Sequence, residues 1–267
     1  MHPMVNIAVR AARAAGDVIA RSVDRLDRVR VEAKGRHDFV SDIDRKAEEV
    51  ILYTLNKAYP GHAVLAEESG SHFKGSGTAE YTWIVDPLDG TANFLHGFPH
   101  FAVSIALQRE GRLEAAVVYD PMRQELFTAH RGSGAQLDGR RIRVPQRSGL
   151  DGALIGTGFP FKQQAYMPAY IGMFQAVAEH AEDMRRAGSA ALDLAYVAAG
   201  RLDGFFELGL KPWDIAAGAL LVTEAGGMVS DFAGKDGYLE SGHIVAGAPK
   251  VHGDLVRALR PHMAEAP

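Results

Sequence analysis

Residues 83–94 read Trp-Ile-Val-Asp-Pro-Leu-Asp-Gly-Thr-Ala-Asn-Phe, an apolar run that ends in two aspartates around a proline. The apolar residues predict a short strand at 83–85, and functional side chains often lie where strands end. The proline fixes its own φ angle and lacks an N–H, so we expect Asp86 and Asp89 to converge with the Leu88 carbonyl between them. The stretch therefore predicts three hard oxygen ligands in one turn.

The residues after the second aspartate suit an anion. Gly90 lets the backbone approach a ligand closely, and a short helix that begins at Thr91 would direct free N–H groups at that ligand. We therefore expect a phosphate group at this turn. Taken alone, the motif is also compatible with a proline turn whose two aspartates are simply solvated.

Two other stretches place acids where a strand ends or a helix begins. An apolar run at 63–66 ends at Glu67 and Glu68, and the local sequence does not show which of them points inwards. Asp214 precedes an apolar helical run. By itself it fits a helix cap, but the proline and tryptophan before it suggest a pocket wall. We expect acids from all three stretches to share one pocket.

Such a cluster of acids requires cations. Two carboxylates about 4 Å apart repel by about 4 kcal/mol at an effective dielectric constant near 20. The chain has no cysteine, and ligands that are all oxygen favour Mg²⁺, or Mn²⁺ as a substitute, over zinc. Two or more such ions suit the hydrolysis of a phosphate ester. His96 and His100, which follow the motif, are not expected to bind zinc.

Length and composition limit the remaining classes of protein. With 267 residues, 47% of them hydrophobic, the chain can bury a substantial core. No run reaches the roughly 18 apolar residues of a membrane span, and the N-terminus lacks a signal-peptide pattern, so we expect a cytoplasmic protein. A net charge of −4 gives no general attraction for nucleic acid, and direct binding is not expected. A solvated hairpin face accounts for Arg140, Arg141, Arg143 and Arg147.

The apolar spacing predicts two helices, a meander of strands and then an alternating pattern. The first part comprises helices at 4–23 and from 41 or 42 to about 60, and strands at 63–66, 83–85, 101–107, 115–119 and 125–129, which suggest antiparallel pairing. The second part comprises strands at 154–156, 228–230 and 244–246, and helices at 168–182, 190–199 and 215–225. We therefore predict two halves that share one interface, at about 1–146 and 147–267.

Three motifs together resemble the inositol monophosphatase family and are closest to its bacterial SuhB-type members. They are Glu-Glu-Ser-Gly at 67–70, Asp-Pro-Leu-Asp-Gly-Thr-Ala-Asn-Phe at 86–94 and Pro-Trp-Asp-Ile-Ala-Ala-Gly at 212–218. The similarity covers essentially the whole chain, including 188–193 and 204–207. It implies one catalytic domain over 1–267 with an α/β (α+β) sugar-phosphatase fold. The expected layers are α-β-α-β-α, with a largely antiparallel N-terminal sheet and a mixed C-terminal sheet.

The resemblance also implies roles for individual residues. Two or three magnesium ions would be ligated by Glu67, Asp86, the Leu88 carbonyl, Asp89 and Asp214, with Asp86 bridging two ions. Thr91, paired with Asp44, would help to activate the attacking water together with Glu67. The N–H groups of Gly90 and Thr91 would hold the phosphate. The substrate would meet Glu207, Asp214 and the stretch from Gly188 to Ala190, with Arg185 nearby.

Two positions depart from the family pattern, and neither removes a ligand. Ala92 stands where a second threonine is common, and Lys211 stands where histidine is frequent. The resemblance implies a lithium-sensitive homodimer that hydrolyses myo-inositol 1-phosphate or a similar small monoester. Fructose 1,6-bisphosphate and nucleotide 3′-phosphates are alternative substrates. A different alternative is a binding role, because some SuhB-type relatives associate with the machinery that transcribes ribosomal RNA.

Overall fold

The computed structural model describes residues 2–35, 38–72 and 79–265. The helices in these ranges are α1 (Pro3–Val23), α2 (Asp42–Ala58), α3 (Thr91–Leu95), α4 (Met167–Ala178), α5 (Ala190–Ala198), α6 (Pro212–Glu224), α7 (Tyr238–Ser241) and α8 (Pro249–Leu259). Short 3₁₀ helices occupy Leu26–Arg28, Gln164–Tyr166 and Arg260–Glu265. None of the helices in the described part of the chain is long and apolar enough to cross a membrane.

The strands in the described ranges belong to three sheets. A two-stranded hairpin consists of β1 (Val31–Gly35) and β2 (Asp38–Ser41). The first large sheet contains β3 (Ala63–Ala66), β4 (Gly70–His72), β5 (Tyr81–Asp89), β6 (Ala102–Arg109), β7 (Arg112–Asp120), β8 (Glu125–His130), β9 (Gly134–Leu137) and β10 (Arg140–Ile142). The second contains β11 (Leu154–Thr157), β12 (Asp183–Arg185), β13 (Gly204–Glu207), β14 (Met228–Ser230) and β15 (Ile244–Gly247).

The first large sheet is antiparallel except at one pair of strands. Its order is β10-β9-β8-β7-β6-β5-β3-β4, and β3 runs parallel to β5. The second sheet has the order β12-β11-β13-β15-β14. Strand β11 is parallel to its neighbours β12 and β13, and strand β15 is antiparallel to its neighbours β13 and β14. The predicted largely antiparallel sheet and mixed sheet are therefore confirmed. The antiparallel pairing that the meander suggested does not hold for β3 and β5, which are parallel.

Helices and sheets alternate in five layers. Helices α1 and α2 pack on each other and on one face of the first large sheet, through β7 and β5 respectively. Helices α5 and α6 lie between the two large sheets, because α6 contacts β6 and β7 while α5 contacts β13 and β15. Helices α4 and α8 cover the outer face of the second sheet. This arrangement confirms the expected α-β-α-β-α layering.

Helix α1 follows the predicted apolar stripe. Its buried residues are Val5, Ala8, Ala11, Ala12, Ala15, Gly16 and Ile19. A Cβ atom at Gly16 would lie only 2.5 Å from the Tyr119 ring, so glycine lets α1 approach β7 closely. The small residues of the stripe thus bring the first layer onto the sheet.

Helix α2 brings two acids to its buried side. Ser41 is the N-cap residue, and its hydroxyl accepts hydrogen bonds from the N–H groups of Ile43 and Asp44. One turn after Asp44, Glu48 is also buried, because residues four apart share one helix face. The capping box therefore fixes the start of α2 and the placement of the Asp44 carboxyl group.

Strand β5 is longer than predicted. Backbone pairing with β6 continues from Tyr81 to Asp89, with an irregularity between Asp86 and Asp89. Because a proline cannot donate to the ladder, the irregularity falls where Pro87 interrupts the strand. The two aspartates therefore belong to the strand end itself and not to a loop after it.

Several elements of the second half differ from the predictions. The helix predicted at 168–182 ends at Ala178, and Asp183–Arg185 forms the edge strand β12. Strand β13 and helix α8 were not predicted at all. Helix α6 begins at Pro212 instead of residue 215, because proline is well tolerated in the first turn of a helix.

Candidate metal centre

The neighbouring strands β3 and β5 bring two acids together at their C-terminal ends. Glu67 follows β3, and its N–H donates to the Val85 carbonyl at 3.1 Å. Its side chain is hydrogen-bonded to Asp86. Because parallel strands end at the same edge of a sheet, acids that are distant in sequence become neighbours.

The turn after Glu67 is held by Glu48 of helix α2. The Glu48 carboxylate accepts hydrogen bonds from the N–H groups of Glu68 at 2.8 Å and Ser69 at 2.9 Å. The structure thus resolves the choice that the sequence left open, since Glu67 is the glutamate beside Asp86.

Three aspartates form one cluster. Carboxylate oxygens of Asp86, Asp89 and Asp214 lie within 4.8 Å of one another. Two of these residues come from strand β5, and the third comes from helix α6 in the middle layer. The cluster therefore depends on the packing of α6 against the first large sheet.

Asp214 is placed by the first turn of α6. Lys211 is the N-cap residue, and Asp214 is the third residue of the helix and caps its first turn from that position, as the local sequence suggested. Its Oδ2 atom accepts a hydrogen bond from the Lys211 N–H at 2.7 Å. The preceding Trp213 is also held, because its carbonyl accepts a hydrogen bond from the Ser104 hydroxyl at 3.1 Å.

Asp89 is held by the start of helix α5. Its Oδ2 atom accepts hydrogen bonds from the Ser189 hydroxyl at 2.6 Å and from the Ala191 N–H at 2.7 Å. Asp86 is restrained locally, since its Oδ1 atom accepts a hydrogen bond from the Leu88 N–H at 2.9 Å. Each carboxylate thus has one oxygen fixed by a backbone N–H group.

The buried Asp44 and the partly buried Thr91 form a hydrogen-bonded pair next to this turn. The Thr91 hydroxyl lies 2.8 Å from Asp44 Oδ1 and 3.1 Å from the Leu88 carbonyl oxygen. Asp44 Oδ2 accepts hydrogen bonds from the Ser41 N–H and hydroxyl. Burial raises the pKa of Asp44, although these hydrogen bonds oppose the shift.

Burial and mutual repulsion raise the pKa values of the clustered acids. The pKa of Asp86 rises well above its ordinary value because of burial, and Glu67, Asp89 and Asp214 add to the rise. Burial is also the main cause that raises the pKa of Asp89 to about 6 and that of Asp214 to about 7. The charge of Lys162 and the backbone hydrogen bonds to Asp89 and Asp214 oppose these shifts in pKa without cancelling them.

The donor set fits a hard divalent cation. All donors are oxygens, and like-charged carboxylates in a buried site are stabilised together by a bound cation. Magnesium prefers carboxylate and carbonyl oxygens in this way. The acidic cluster can therefore hold a metal ion.

A second acidic group lies beside the first. Burial raises the pKa of Glu207 well above its ordinary value, and Asp193, Asp214 and Asp89 contribute to the rise. Burial also raises the pKa of Asp193, with a further contribution from Asp89. Arg186 opposes both shifts, so this arginine is the cation that faces the second group.

Arg185 has other partners. It forms an ion pair with Asp183 at 2.5 Å, and its guanidinium donates to the Met184 carbonyl at 2.9 Å. The Arg186 guanidinium lies 5.3 Å from the centre of the Phe161 ring. The family resemblance implied Arg185 near the substrate, and Arg186 is the arginine whose charge opposes the raised pKa of Glu207.

The glycines of the site approach each other closely. Gly90 has φ +98°, and a Cβ atom there would lie 3.1 Å from the His100 carbonyl oxygen and 3.3 Å from that of Gly188. Asn93 joins the same segments, since its amide donates to the carbonyls of His100 at 2.7 Å and Ala187 at 2.9 Å. The segment before Ala190, the first residue of α5, is thereby fastened to the strand β5 turn.

The two histidines after the motif lie outside the cluster of aspartates. His96 is exposed. His100 is buried, and burial lowers its pKa to about 4, so its ring is neutral near pH 7.

Four residues of the site had no role in the predictions from sequence, and Ser189 was placed only within the stretch that meets the substrate. The four are Glu48 and Asn93, which position the backbone, and Asp193 and Arg186 of the second acidic group. Glu48 follows Asp44 by one helical turn, a spacing that could have identified it. The other three carry no local signal, because their partners come from other segments of the chain.

Comparisons with known proteins show relatives that match nearly the whole chain. Over 266 residues the chain is 56% identical to a protein of Pseudomonas aeruginosa called Nus factor SuhB, with 98% of each chain covered. It is 54% identical to the Escherichia coli protein of the same name, with 100% of this chain and 99% of the relative covered.

Solved structures show the same similarity. The extragenic suppressor protein SuhB of Bartonella henselae superposes with a TM-score of 0.92 at 46% identity, over 96% of this chain and 97% of the other. The inositol monophosphatase of Anabaena (Nostoc) sp. PCC 7120 gives 0.84 at 37% identity, over 96% and 95% of the two chains. Residues 1–264 match the inositol monophosphatase family, and the chain therefore belongs to that family.

Proposed function

We propose that the protein is a magnesium-dependent phosphatase of small polyol or sugar-like phosphate monoesters, with myo-inositol 1-phosphate as the leading substrate. The observation that carries the proposal is the cluster of Asp86, Asp89 and Asp214, whose oxygens lie within 4.8 Å of one another. Membership of the inositol monophosphatase family supports a phosphatase.

In this proposal the acids of three segments hold two or three magnesium ions. The ligands would be Glu67, Asp86, the Leu88 carbonyl, Asp89 and Asp214. When bound, such ions offset the charge of a phosphate ester, lower the pKa of water and stabilise the leaving oxygen. The protein's contribution is to hold the carboxylates in place through fixed hydrogen bonds.

Thr91 and Asp44 would orient the attacking water. Because the Thr91 hydroxyl donates to Asp44, its oxygen can accept a hydrogen bond from that water. Glu67 would complete the group that positions it. The N–H groups of Gly90 and Thr91 would hold phosphate oxygens, since the first N–H groups of a helix have no partner within the helix.

The alcohol part of the substrate would meet the second acidic group. Glu207 would accept hydrogen bonds from hydroxyl groups, and the backbone from Gly188 to Ala190 would line the same side. We assign the cationic contact to Arg186 in place of Arg185, because Arg185 already pairs with Asp183. A homodimer and inhibition by lithium belong to the same proposal.

The direct test is phosphate release from myo-inositol 1-phosphate with and without magnesium, and with lithium added to the magnesium reaction. We expect turnover that requires magnesium and falls with lithium. A panel with fructose 1,6-bisphosphate and a nucleotide 3′-phosphate identifies the preferred substrate. Absence of magnesium-dependent turnover on every member of the panel would refute the phosphatase.

A second candidate function is a binding role in transcription. It is favoured by identities of 50–56% to relatives that are called Nus factor SuhB. The test is whether an Asp89→Asn protein rescues bacterial cells that lack the wild-type gene. Rescue would assign the cellular role to binding, whereas failure of a stably expressed variant would assign it to catalysis.

A further inference from the structure

Ser189 links the second half of the chain to the acid cluster. Its hydroxyl donates to Asp89 Oδ2 at 2.6 Å, across 100 positions in sequence. The Ala191 N–H donates to the same oxygen at 2.7 Å. Ser189 is itself buried, with 1% of its surface exposed, so water does not readily replace this hydrogen bond.

The two bonds restrain the orientation of the Asp89 carboxylate. Both go to Oδ2 and come from the start of helix α5, where Ser189 is the N-cap residue. A carboxylate with one oxygen held by two donors cannot rotate freely about its Cβ–Cγ bond. Neighbouring groups that fix a ligand in this way contribute strongly to metal affinity.

The segment that carries Ser189 is itself anchored. The amide of Asn93 donates to the carbonyl of Ala187 at 2.9 Å, and Gly188 takes φ +92° before the helix. The strand β5 turn thus holds the α5 start through Asn93, and the α5 start holds the turn through Asp89. These two links hold the Ser189 hydroxyl at the Asp89 carboxylate of the cluster.

We propose that Ser189 is a positioning residue that sets the divalent metal affinity of the centre by orienting Asp89. This inference rests on the proposed metal centre and goes beyond it, because it makes the helix α5 N-cap part of the centre. The family resemblance placed Ser189 only within a stretch that meets the substrate.

The test is Mn²⁺ binding to the metal-stripped full chain, measured by calorimetry. Ser189→Ala and Ser189→Gly both remove the hydroxyl, and glycine is well tolerated at the N-cap position of a helix. We expect each variant to weaken Mn²⁺ binding about 10- to 100-fold. Ser189→Thr keeps the hydroxyl and should stay within about 3-fold of wild type, well inside that loss.

Ser230→Ala is the matched control. Ser230 is also buried in the second half, and its hydroxyl bonds to the Asp231 carbonyl and to His252. Its removal should leave Mn²⁺ affinity unchanged.

Wild-type affinity in both Ser189→Ala and Ser189→Gly would overturn the inference, as would an equal loss in Ser189→Thr. Failure of the wild-type chain to bind Mn²⁺ would instead overturn the proposed metal centre. The two proposals therefore fail in distinguishable ways.

Discussion

The Thr91 hydroxyl donates to Asp44 Oδ1 at 2.8 Å, although the two residues are 47 positions apart in sequence. The bond joins helix α2 to the start of α3, directly after the strand that carries Asp86 and Asp89. Ser41 holds the other oxygen of Asp44. The first helical layer thus supports the turn where the proposed chemistry takes place.

Loss of the Thr91 hydroxyl should reduce turnover with little change in folding. Valine has nearly the same shape as threonine, so Thr91→Val removes the hydrogen bond to Asp44 and the proposed contact with water. We expect kcat to fall by about 10²- to 10⁴-fold, the range for proton-transfer groups. Steady-state kinetics on myo-inositol 1-phosphate measures this. Thr91→Ser should recover most of the activity, and wild-type kcat in Thr91→Val would exclude the role.

The Asp89→Asn substitution should abolish turnover, because it weakens a proposed metal ligand while side-chain volume barely changes. Metal-site substitutions of this kind are expected to cost at least about 100-fold in kcat/KM. Asp151 offers a matched control, since 90% of its side chain is exposed and its partner is His180. The Asp151→Asn variant should keep full activity. Equal kcat/KM values for the two variants would refute the assignment.

Magnesium should stabilise the protein more at pH 8 than at pH 5. The pKa values of Asp89 and Asp214 are about 6 and about 7, so both side chains hold protons at pH 5 and compete with the metal. At pH 8 they are ionised. At magnesium about 100-fold above Kd the gain is about 2.7 kcal/mol, or a Tm increase of about 5–10 °C.

Thermal unfolding with magnesium, compared with sodium at the same ionic strength, measures this difference. In the metal-free protein, the raised pKa values make the free energy of unfolding depend on pH. Stability from these two aspartates is lost as pH rises from their ordinary value of 3.8 to about 7, because the folded state binds protons more tightly there. An equal magnesium effect at both pH values would contradict proton competition at these carboxylates.

Elements with a clear apolar pattern were predictable from the sequence. Helix α1 and strand β3 follow such patterns, and both were placed within one residue. Strand β13 has four residues, like β3, but its first three are all buried in the middle of a sheet, so it lacks the alternation that marks a strand. Helix α8 contains Gly253 and lacks a side-chain cap, which weakens its local signal.

For the site, the sequence could indicate which residues are acidic but not how they meet. The β5 turn predicts Asp86 and Asp89 from local geometry, whereas Asp214 joins them only because α6 packs on the first large sheet. Neither Ser189 nor Arg186 has a local pattern that directs it to the site. Their placement depends on the packing of two halves, which no short stretch of sequence encodes.

Replacement of Gly90 by alanine should destabilise the turn. Gly90 has φ +98°, and an added Cβ atom would lie 3.1 Å from both the His100 carbonyl oxygen and the Phe101 Cβ. An L-residue at positive φ costs about 1–2 kcal/mol, which lowers Tm by about 2–8 °C in a chain of this size. Calorimetry measures it.

Gly253→Ala is the control for Gly90→Ala. Gly253 lies within helix α8, and apart from its chain neighbours and the nearby backbone of the helix no heavy atom lies within 4 Å of the position of an added Cβ. Because alanine favours helix by up to about 1 kcal/mol over glycine, this variant should be as stable as wild type or more so. A Tm of Gly90→Ala at or above that of wild type would show that the turn has no need for glycine.

Arg186 and Arg185 should differ in their effect on substrate binding. Arg186 is the cation that opposes the negative charge of Glu207 and Asp193, whereas Arg185 pairs with Asp183 on the exposed edge strand.

Loss of a charge-assisted contact worth about 1.4 kcal/mol raises KM about 10-fold. We therefore expect Arg186→Gln to raise KM for myo-inositol 1-phosphate about 10-fold with little change in kcat, because a contact made equally in ground and transition states affects KM alone. Arg185→Gln should change KM by less than about 2-fold, since exposed ion pairs contribute little. A larger KM increase in Arg185→Gln than in Arg186→Gln would return the substrate contact to Arg185, as the family resemblance implied.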